Sequence, residues 1–386
     1  MARGAYRGER EGATAGRSVP CASVQERPLC KSGGKERPLC QCARASLVQV
    51  GALRGEWGAR GRRLLRVTKW GLRVLVGLGV GVALSQALLP DRGLLQTWIA
   101  AATPWGYLPA VPLLAWTVWR RRWPEAAGLA VVVLLWVGWL LPQVVGGAVE
   151  GPPDFRVASI NALAWNARPD SMIRDVAATE ADVLAIQEVS PELAAAIETE
   201  AFDRWPHRLV LPREDAFGIA VLSRFPMRAH VEDLGPTLPP EAREGPAVAE
   251  PYVVADLDIG GRPLRLLAVH TLPPFGARYA AIWRRQCAVL VERVEGERTP
   301  LIVAGDLNAT PFHRVLRDLD AAGLRDGHGA VGRGLTTTFP TDRWLPPMLL
   351  DHVLASEELA FTAVSERTIG GSDHRAVVAG LRWAGE

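Results

Sequence analysis

Long uninterrupted apolar stretches mark the first half of the chain, and short apolar runs ending in polar residues mark the second. Residues 74–90 carry no charge, residues 93–119 carry none across 27 positions, and residues 126–149 carry none across 24. A helix needs about 20 apolar residues to cross a bilayer, so the pattern predicts three transmembrane helices. Trp70, Trp98, Trp119, Trp123 and Trp139 fall near the expected interfaces, where amphipathic rings are favoured. Gly77, Gly79 and Gly81 predict a close helix–helix approach in the first span. Gly151-Pro152-Pro153 reads as a linker, and beyond it the pattern becomes α/β. Strands are predicted over 155–160, 182–186, 219–222, 252–257, 264–269, 301–304 and 376–381. The clearest helix covers 277–294, where Trp283, Cys287, Leu290, Val291 and Val294 share one face. Cys287 on that face is expected to be a core residue rather than a nucleophile.

Charge divides the chain at the same place. The net charge of +3 over 386 residues conceals 20 basic and 8 acidic residues before Gly151, against 24 and 33 after it. The acidic half contains Arg but no Lys, and an acidic surface attracts nucleic-acid phosphates poorly. The chain is therefore expected to comprise a disordered basic tail (1–60), a membrane anchor (61–150) and a catalytic domain (151–386). Arg60, Arg62, Arg63, Arg66, Lys69 and Arg73 precede the first span, and Arg120, Arg121 and Arg122 follow the second. Because positive loops stay in the cytoplasm, this places the N-terminus inside and residues 151–386 outside, in a multi-pass plasma-membrane protein.

Four of the five Cys lie in the tail, at Cys21, Cys30, Cys40 and Cys42, and Glu-Arg-Pro-Leu-Cys occurs there twice. Without a Cys-x-x-Cys pair or a nearby His, an unstructured tail is preferred to a metal knuckle. Cys287 alone cannot form a disulfide within the acidic half, which must rely on its apolar core.

Polar residues recur where the predicted strands end. Asn161 ends the first and Gln187-Glu188 the second; His270 follows 264–269, and Asp306 and Asn308 follow 301–304. Asp351-His352 follow Met348-Leu349-Leu350, and Asp373-His374 precede the last strand. Oxygen ligands without thiolates favour Mg²⁺, Mn²⁺ or Ca²⁺ over zinc, and Mg²⁺ or Mn²⁺ is expected, one or two ions. Imidazoles beside them permit acid–base work near neutral pH, and the set suits in-line hydrolysis of a phosphate ester.

The segments Val-Ala-Ser-Ile-Asn161, Ala-Ile-Gln187-Glu188, Gly218-Ile-Ala-Val-Leu-Ser-Arg224-Phe-Pro, Val-His270, Ala-Gly-Asp306-Leu-Asn308, Asp351-His352-Val and Gly-Ser-Asp373-His374 occur in that order. Together they resemble the endonuclease/exonuclease/phosphatase superfamily over about 155–383. The resemblance implies an α/β fold, a four-layer sandwich of two central sheets flanked by helices, here preceded by three transmembrane helices. It implies Glu188 as principal metal ligand, Asn161 completing that side and Asp373 beside the metal. Asp306 and Asn308 would position water and phosphate. His374 would act as general base or stabilise the pentacovalent phosphate, with Asp351 fixing its tautomer, and His270 would contact phosphate or assist the leaving group. Many members carry a second polar residue two positions after the first-motif Asn; here it is Leu163, which leaves the metal count open.

Asn166 is balanced between binding substrate and capping a loop, and Arg224 between clamping phosphate and ending its strand. His352 is expected in packing or behind the site. The expected function is a membrane-anchored phosphodiesterase or phosphatase acting on lipid head groups or nucleic acid, with the bilayer as the other partner and no protein partner. The alternative is a catalytically silent membrane-anchored binding protein, although Glu188, Asp306 and His374 are all retained. A transporter is disfavoured because the three spans lack an internal charge.

Overall fold

The computed structural model describes residues 70–89, 91–200, 203–235, 250–341 and 346–385. The basic tail, its Cys repeat and Arg60 to Lys69 lie outside the described residues. Residues from Thr68 to Glu386 form one compact unit.

The segment expected to form the anchor contains α1 (Trp70–Leu88), α2 (Leu94–Ala101), α3 (Thr103–Gly106), α4 (Ala110–Trp119) and α5 (Trp123–Val144). Among the described residues, α1 and α5 are long and apolar enough to cross a membrane. The middle stretch, 93–119, is not the single helix its hydropathy predicts. It breaks into α2, α3 and α4 around Pro104 and Pro109, which lack the amide an uninterrupted helix requires. Near the starts of α1 and α5, Arg73 Nε lies 3.2 Å from Glu125 Oε1, so the two helices run in the same direction. They approach closely at Gly128, where a Cβ would collide with Val76. Gly77, Gly79 and Gly81 instead face open space, so the predicted close approach belongs to the partner helix. Toward the other end, Gln86 donates to Thr103 Oγ1 at 2.7 Å and accepts from Tyr107 at 2.9 Å.

Two six-stranded mixed sheets follow. The first is ordered β11-β12-β1-β2-β4-β3, from β1 (Phe155–Asn161), β2 (Val183–Gln187), β3 (His207–Leu211), β4 (Ile219–Ser223), β11 (Leu359–Thr368) and β12 (Arg375–Trp383). The second is ordered β5-β6-β7-β8-β10-β9, from β5 (Met227–Asp233), β6 (Pro251–Ile259), β7 (Arg262–His270), β8 (Leu301–Asp306), β9 (Arg325–Asp326) and β10 (Asp351–Ala355). Outside the first sheet pack α6 (Pro169–Ala177) and α7 (Pro191–Glu200), and outside the second α8 (Ala277–Glu295) and α9 (Arg314–Ala321), while α10 (Gly327–Ala330) lies against β10. The result is the helix–sheet–sheet–helix sandwich expected from the sequence.

Alternation along each strand divides the apolar residues between layers. Phe155, Val157, Val183, Ala185, Leu266, Ala268, Ile302, Ala304, Val353 and Val377 fill the space between the sheets. Their neighbours Ile160, Leu184 and Ile186 face α6 and α7, whereas Leu267, Val303 and Leu354 face α8 and α9. The predicted face of α8 is buried at Trp283, Cys287, Leu290 and Val294, and burial pushes the Cys287 thiol far above its ordinary value.

The segment after α5 is not slack. Gly334 N donates to Gln143 O at 2.8 Å, Gly147 N to Ala330 O at 2.9 Å, Val149 N to Phe361 O at 2.9 Å and Asp154 N to Leu381 O at 2.8 Å. Residues expected to form a linker are thus held onto the sandwich. The α2 end is docked too: His313 Nε2 donates to Thr97 O at 3.1 Å, and Arg314 N donates to Asp91 Oδ2 at 2.9 Å.

Candidate active site

The inter-sheet rows of apolar side chains continue, at one end, into polar ones. Asn161 continues the row of Phe155 and Val157; Gln187, His270 and Asp306 continue those of β2, β7 and β8; and Asp351 begins that of β10. A period of two therefore fixes these groups on the inner face, where the core between the sheets opens. Glu188 follows β2 at φ +60°, Leu163 follows β1 at +62° and Asn308 follows β8 at +47°. Three side-chain-bearing residues in left-handed backbone at one edge mark a place where the chain accepts strain to aim side chains.

Asn161 Nδ2 donates to Glu188 Oε1 at 3.0 Å and to Asp306 Oδ2 at 3.1 Å, joining the two sheets. Its Oδ1 accepts from Leu163 N at 3.1 Å, so here Asn161 steers the carboxylates. Glu188 Oε2 accepts from Ala164 N at 2.9 Å. His270 Nδ1 donates to Ala216 O at 3.1 Å, which turns Nε2 inward, 3.9 Å from both Glu188 Oε1 and Asp306 Oδ2. Asn308 accepts no role at random: its amide N donates to Asp306 Oδ1 at 2.8 Å and its Nδ2 to Thr271 O at 2.8 Å.

Asp306 and Asp351 stand directly opposite in the antiparallel pair of β8 and β10. His374 Nδ1 donates to Asp351 Oδ2 at 2.8 Å and lies 3.8 Å from Asp306 Oδ2, leaving Nε2 as the nitrogen free for a substrate. Burial opposes the His374 imidazolium, but Asp351, Asp306 and the adjacent Asp373 outweigh it and push the group up to about 10. Burial, then the charge of Asp351, pushes the Asp306 carboxyl upward, against the pull of His374 and His270. Asp373 keeps its carbonyl on Thr341 N at 2.9 Å.

The arrangement fits a hard cation. Glu188 Oε1 and Asp306 Oδ2 converge from opposite sheets on the same neutral amide, and Asp351 Oδ1 is buried without a hydrogen-bond partner. Ligand atoms of Asp306, Asp351 and His374 all lie within 4.8 Å of one another. Concentrated oxygen donors with a surplus of negative charge suit Mg²⁺ or Mn²⁺. All eight expected site residues are thus at this edge of the sandwich.

Other expected residues lie elsewhere. Asn166 donates to Ala162 O and to Gly370 O, both at 3.1 Å, and accepts from Arg168 N at 2.8 Å, which makes it a loop cap. Arg224 pairs with Asp182 at 2.7 Å and ends its strand. His352, on the opposite face of β10 from Asp351, binds Asp326 Oδ1 at 3.0 Å and Ala309 O at 2.8 Å. Beside it, buried His328 lies 3.3 Å from Glu366 Oε1. Burial opposes the His328 imidazolium, but Asp326 and Glu366 push it up to about 9.

Two small polar residues support the site: Thr338, which lies in none of the motif segments, and Ser372, which lies within Gly-Ser-Asp373-His374. Thr338 Oγ1 accepts the amides of Leu350 and Asp351 at 3.0 and 3.2 Å. Ser372 Oγ donates to Asn161 O at 2.7 Å and accepts from His374 N at 2.9 Å. Phe339 covers His374, with ring centroids 4.6 Å apart.

No curated protein matches the chain. Among solved structures, an endonuclease/exonuclease/phosphatase from Beutenbergia cavernae DSM 12333 is 20% identical over 60% of this chain and 72% of its own, with a TM-score of 0.47. The 3' phosphatase NExo from Neisseria, solved with a product DNA hairpin, is 19% identical over 59% of this chain and 100% of its own, with a TM-score of 0.47. Humanized TDP2 from D. rerio is 14% identical over 59% and 98%, with a TM-score of 0.49. The sequence model described as the Endonuclease/Exonuclease/phosphatase family matches residues 151–374, the span that holds every strand of the two sheets except β12 and every polar residue gathered at their shared edge. The chain belongs to the endonuclease/exonuclease/phosphatase family.

Proposed function

We propose that this protein is a membrane-anchored, divalent-metal-dependent hydrolase of phosphate esters, with 1–60 as tail, 61–150 as anchor and 151–386 as an extracytoplasmic catalytic domain. The observation that carries the reading is the convergence of Glu188 and Asp306 from opposite sheets on Asn161, with His270 and His374 beside them. Glu188 is the principal ligand of Mg²⁺ or Mn²⁺, with Asn161 ordering that side and Asp373 nearby. The ion, when bound, supplies charge to offset the developing negative charge on phosphate. Asp306 and Asn308 hold the attacking water and a phosphoryl oxygen. His374, kept protonated by Asp351 and Asp306, donates from Nε2 to the pentacovalent phosphate. Asp351 fixes its tautomer, and His270 presents Nε2 to phosphate or to the leaving group.

The anchor supports the membrane part of the reading. Arg73, Arg120, Arg121 and Arg122 cluster at the end of the bundle where α1 and α5 begin, whereas Asp91 and Gln143 meet the sandwich at the other end. Positive charge on the far side favours an extracytoplasmic domain. The test is hydrolysis of bis(p-nitrophenyl) phosphate by the full chain with Mg²⁺ or Mn²⁺, against EDTA and His374→Ala controls. Turnover that both controls abolish is expected; turnover that survives EDTA would refute the metal-dependent reading.

A further inference from the structure

The loops that carry the site turn apolar as they leave it. Among the described residues after Gly151, the exposed large apolar side chains are Trp165, Val231, Phe275 and Leu335. Three of these four flank the site. Trp165, 73% exposed, follows Ala164, whose amide holds Glu188. Phe275, 65% exposed, sits between His270 and α8. Leu335 precedes the segment in which Thr338 holds Asp351 and Phe339 covers His374.

Beside Leu335, a groove of about 250 Å³ separates the anchor from the sandwich. One wall is Trp105 and Leu108 with Trp136 and Leu140 of α5. The other is Phe312, Leu335 and Met348-Leu349. That second wall belongs to the site itself: Met348 bridges Phe339, and Leu349 lies two positions before Asp351. No Lys or Arg lines the groove among the described residues, so it offers a phosphodiester backbone nothing. It offers an alkyl chain a continuous apolar wall running from a helix of bilayer length to the segment that positions Asp351 and His374.

We infer that the substrate is an amphiphile, a phosphate ester of a long-chain lipid, whose chain lies in this groove while its phosphate reaches Glu188, Asp306 and His374. The inference rests on the hydrolase reading above and narrows it to one substrate class. Trp165 and Phe275 then sit on the lipid-facing rim, where aromatic rings are favoured.

The test uses the full chain in lipid nanodiscs with Mg²⁺ and two soluble chromogenic diesters, methyl and octyl p-nitrophenyl phosphate. Both share the same scissile bond. The octyl ester is expected to show kcat/KM at least about tenfold higher, because burial of the added methylenes favours binding. Leu108→Trp and Leu140→Trp, which fill the groove, are expected to reduce that ratio to about threefold or less. Reading the ratio within each protein cancels any general loss of activity. Should either Trp variant fail to fold, Leu108→Ser at a half-exposed position reads the same ratio. A wild-type ratio near one, a ratio unmoved by every groove variant, or a single-stranded oligonucleotide cleaved faster than the octyl ester would each overturn the lipid seat. Turnover of neither ester would defeat the hydrolase reading, and this inference with it.

Discussion

Asn161 Nδ2 donates to Asp306 Oδ2 at 3.1 Å, a single amide that ties the end of β1 in one sheet to the end of β8 in the other. The same nitrogen holds Glu188 at 3.0 Å. Replacing it with a carboxylate, Asn161→Asp, sets a third like charge beside Glu188 and Asp306 and removes the donor they share. Activity on bis(p-nitrophenyl) phosphate is expected to fall by about 10²-fold or more in kcat/KM, the scale of losing one preorganised donor. Asn161→Asp within threefold of wild type would remove the bridge from the mechanism.

Asp351 works through His374. Asp351→Asn preserves shape but offers its ring partner a neutral amide, so the imidazole loses its fixed tautomer and its charge support. The drop in kcat is expected to be about 10²- to 10⁴-fold with KM little changed. The split between kcat and KM is the measurement, since a merely structural role would leave kcat per folded molecule intact.

Gly305 is required by close approach. It pairs with Val269 in the parallel β7–β8 register, and a Cβ there would collide with the Val269 carbonyl. Gly305→Ala must push β8 away from β7 and shift Asp306 away from His270. A loss of at least ~3 kcal/mol in unfolding free energy is expected, at the upper end for overpacking, together with lost activity. Denaturant unfolding checks it.

His328 and Glu366 give stability opposite pH limits. His328 is raised from 6.5 to about 9 in the fold, so its contribution is complete below pH 6.5 and is lost as pH rises toward 9. Glu366 is lowered from 4.5 to about 2, so its contribution is present above pH 4.5 and is lost as pH falls toward 2. Unfolding free energy is therefore expected to plateau between these windows and to decline above pH 6.5, with His328 contributing on the order of 3 kcal/mol by pH 9 and His374, held up to about 10, adding to it. His328→Phe should make that alkaline slope shallower by the His328 share and leave the part that His374 contributes, as measured by denaturant titration at several pH values. An equal slope in the variant would assign the loss to another group.

The site was largely legible because its residues interrupt apolar rows. Asn161, His270, Asp306 and Asp351 each end or begin a buried strand and Glu188 directly follows one, positions that core packing alone does not explain. Thr338 was not legible, because a small hydroxyl that accepts a neighbouring amide looks the same in any turn. Strands β3 and β5 were missed for a different reason: they lie at sheet edges and are only partly buried, so their short alternations, Leu209/Leu211 and Met227/Ala229, are weak signals. Composition predicted apolar length for the anchor but not its continuity, which Pro104 and Pro109 interrupt. The buried pair of His328 and Glu366 is separated by 38 positions in the chain, beyond the range of any local pattern.

The pinned segment from Gln143 to Asp154 has one more consequence. With α5 in a bilayer, backbone hydrogen bonds clamp the sandwich to its mount, and no loose tether lets it swing. The height and tilt of the cleft are then set once, when the chain folds. On the proposed membrane anchoring, the domain would sample a sheet of space rather than a sphere, and its turnover would track the surface density of its substrate instead of the bulk concentration. Inserting a flexible spacer near Gly151 would free the domain to roam and exchange that two-dimensional dependence for a three-dimensional one.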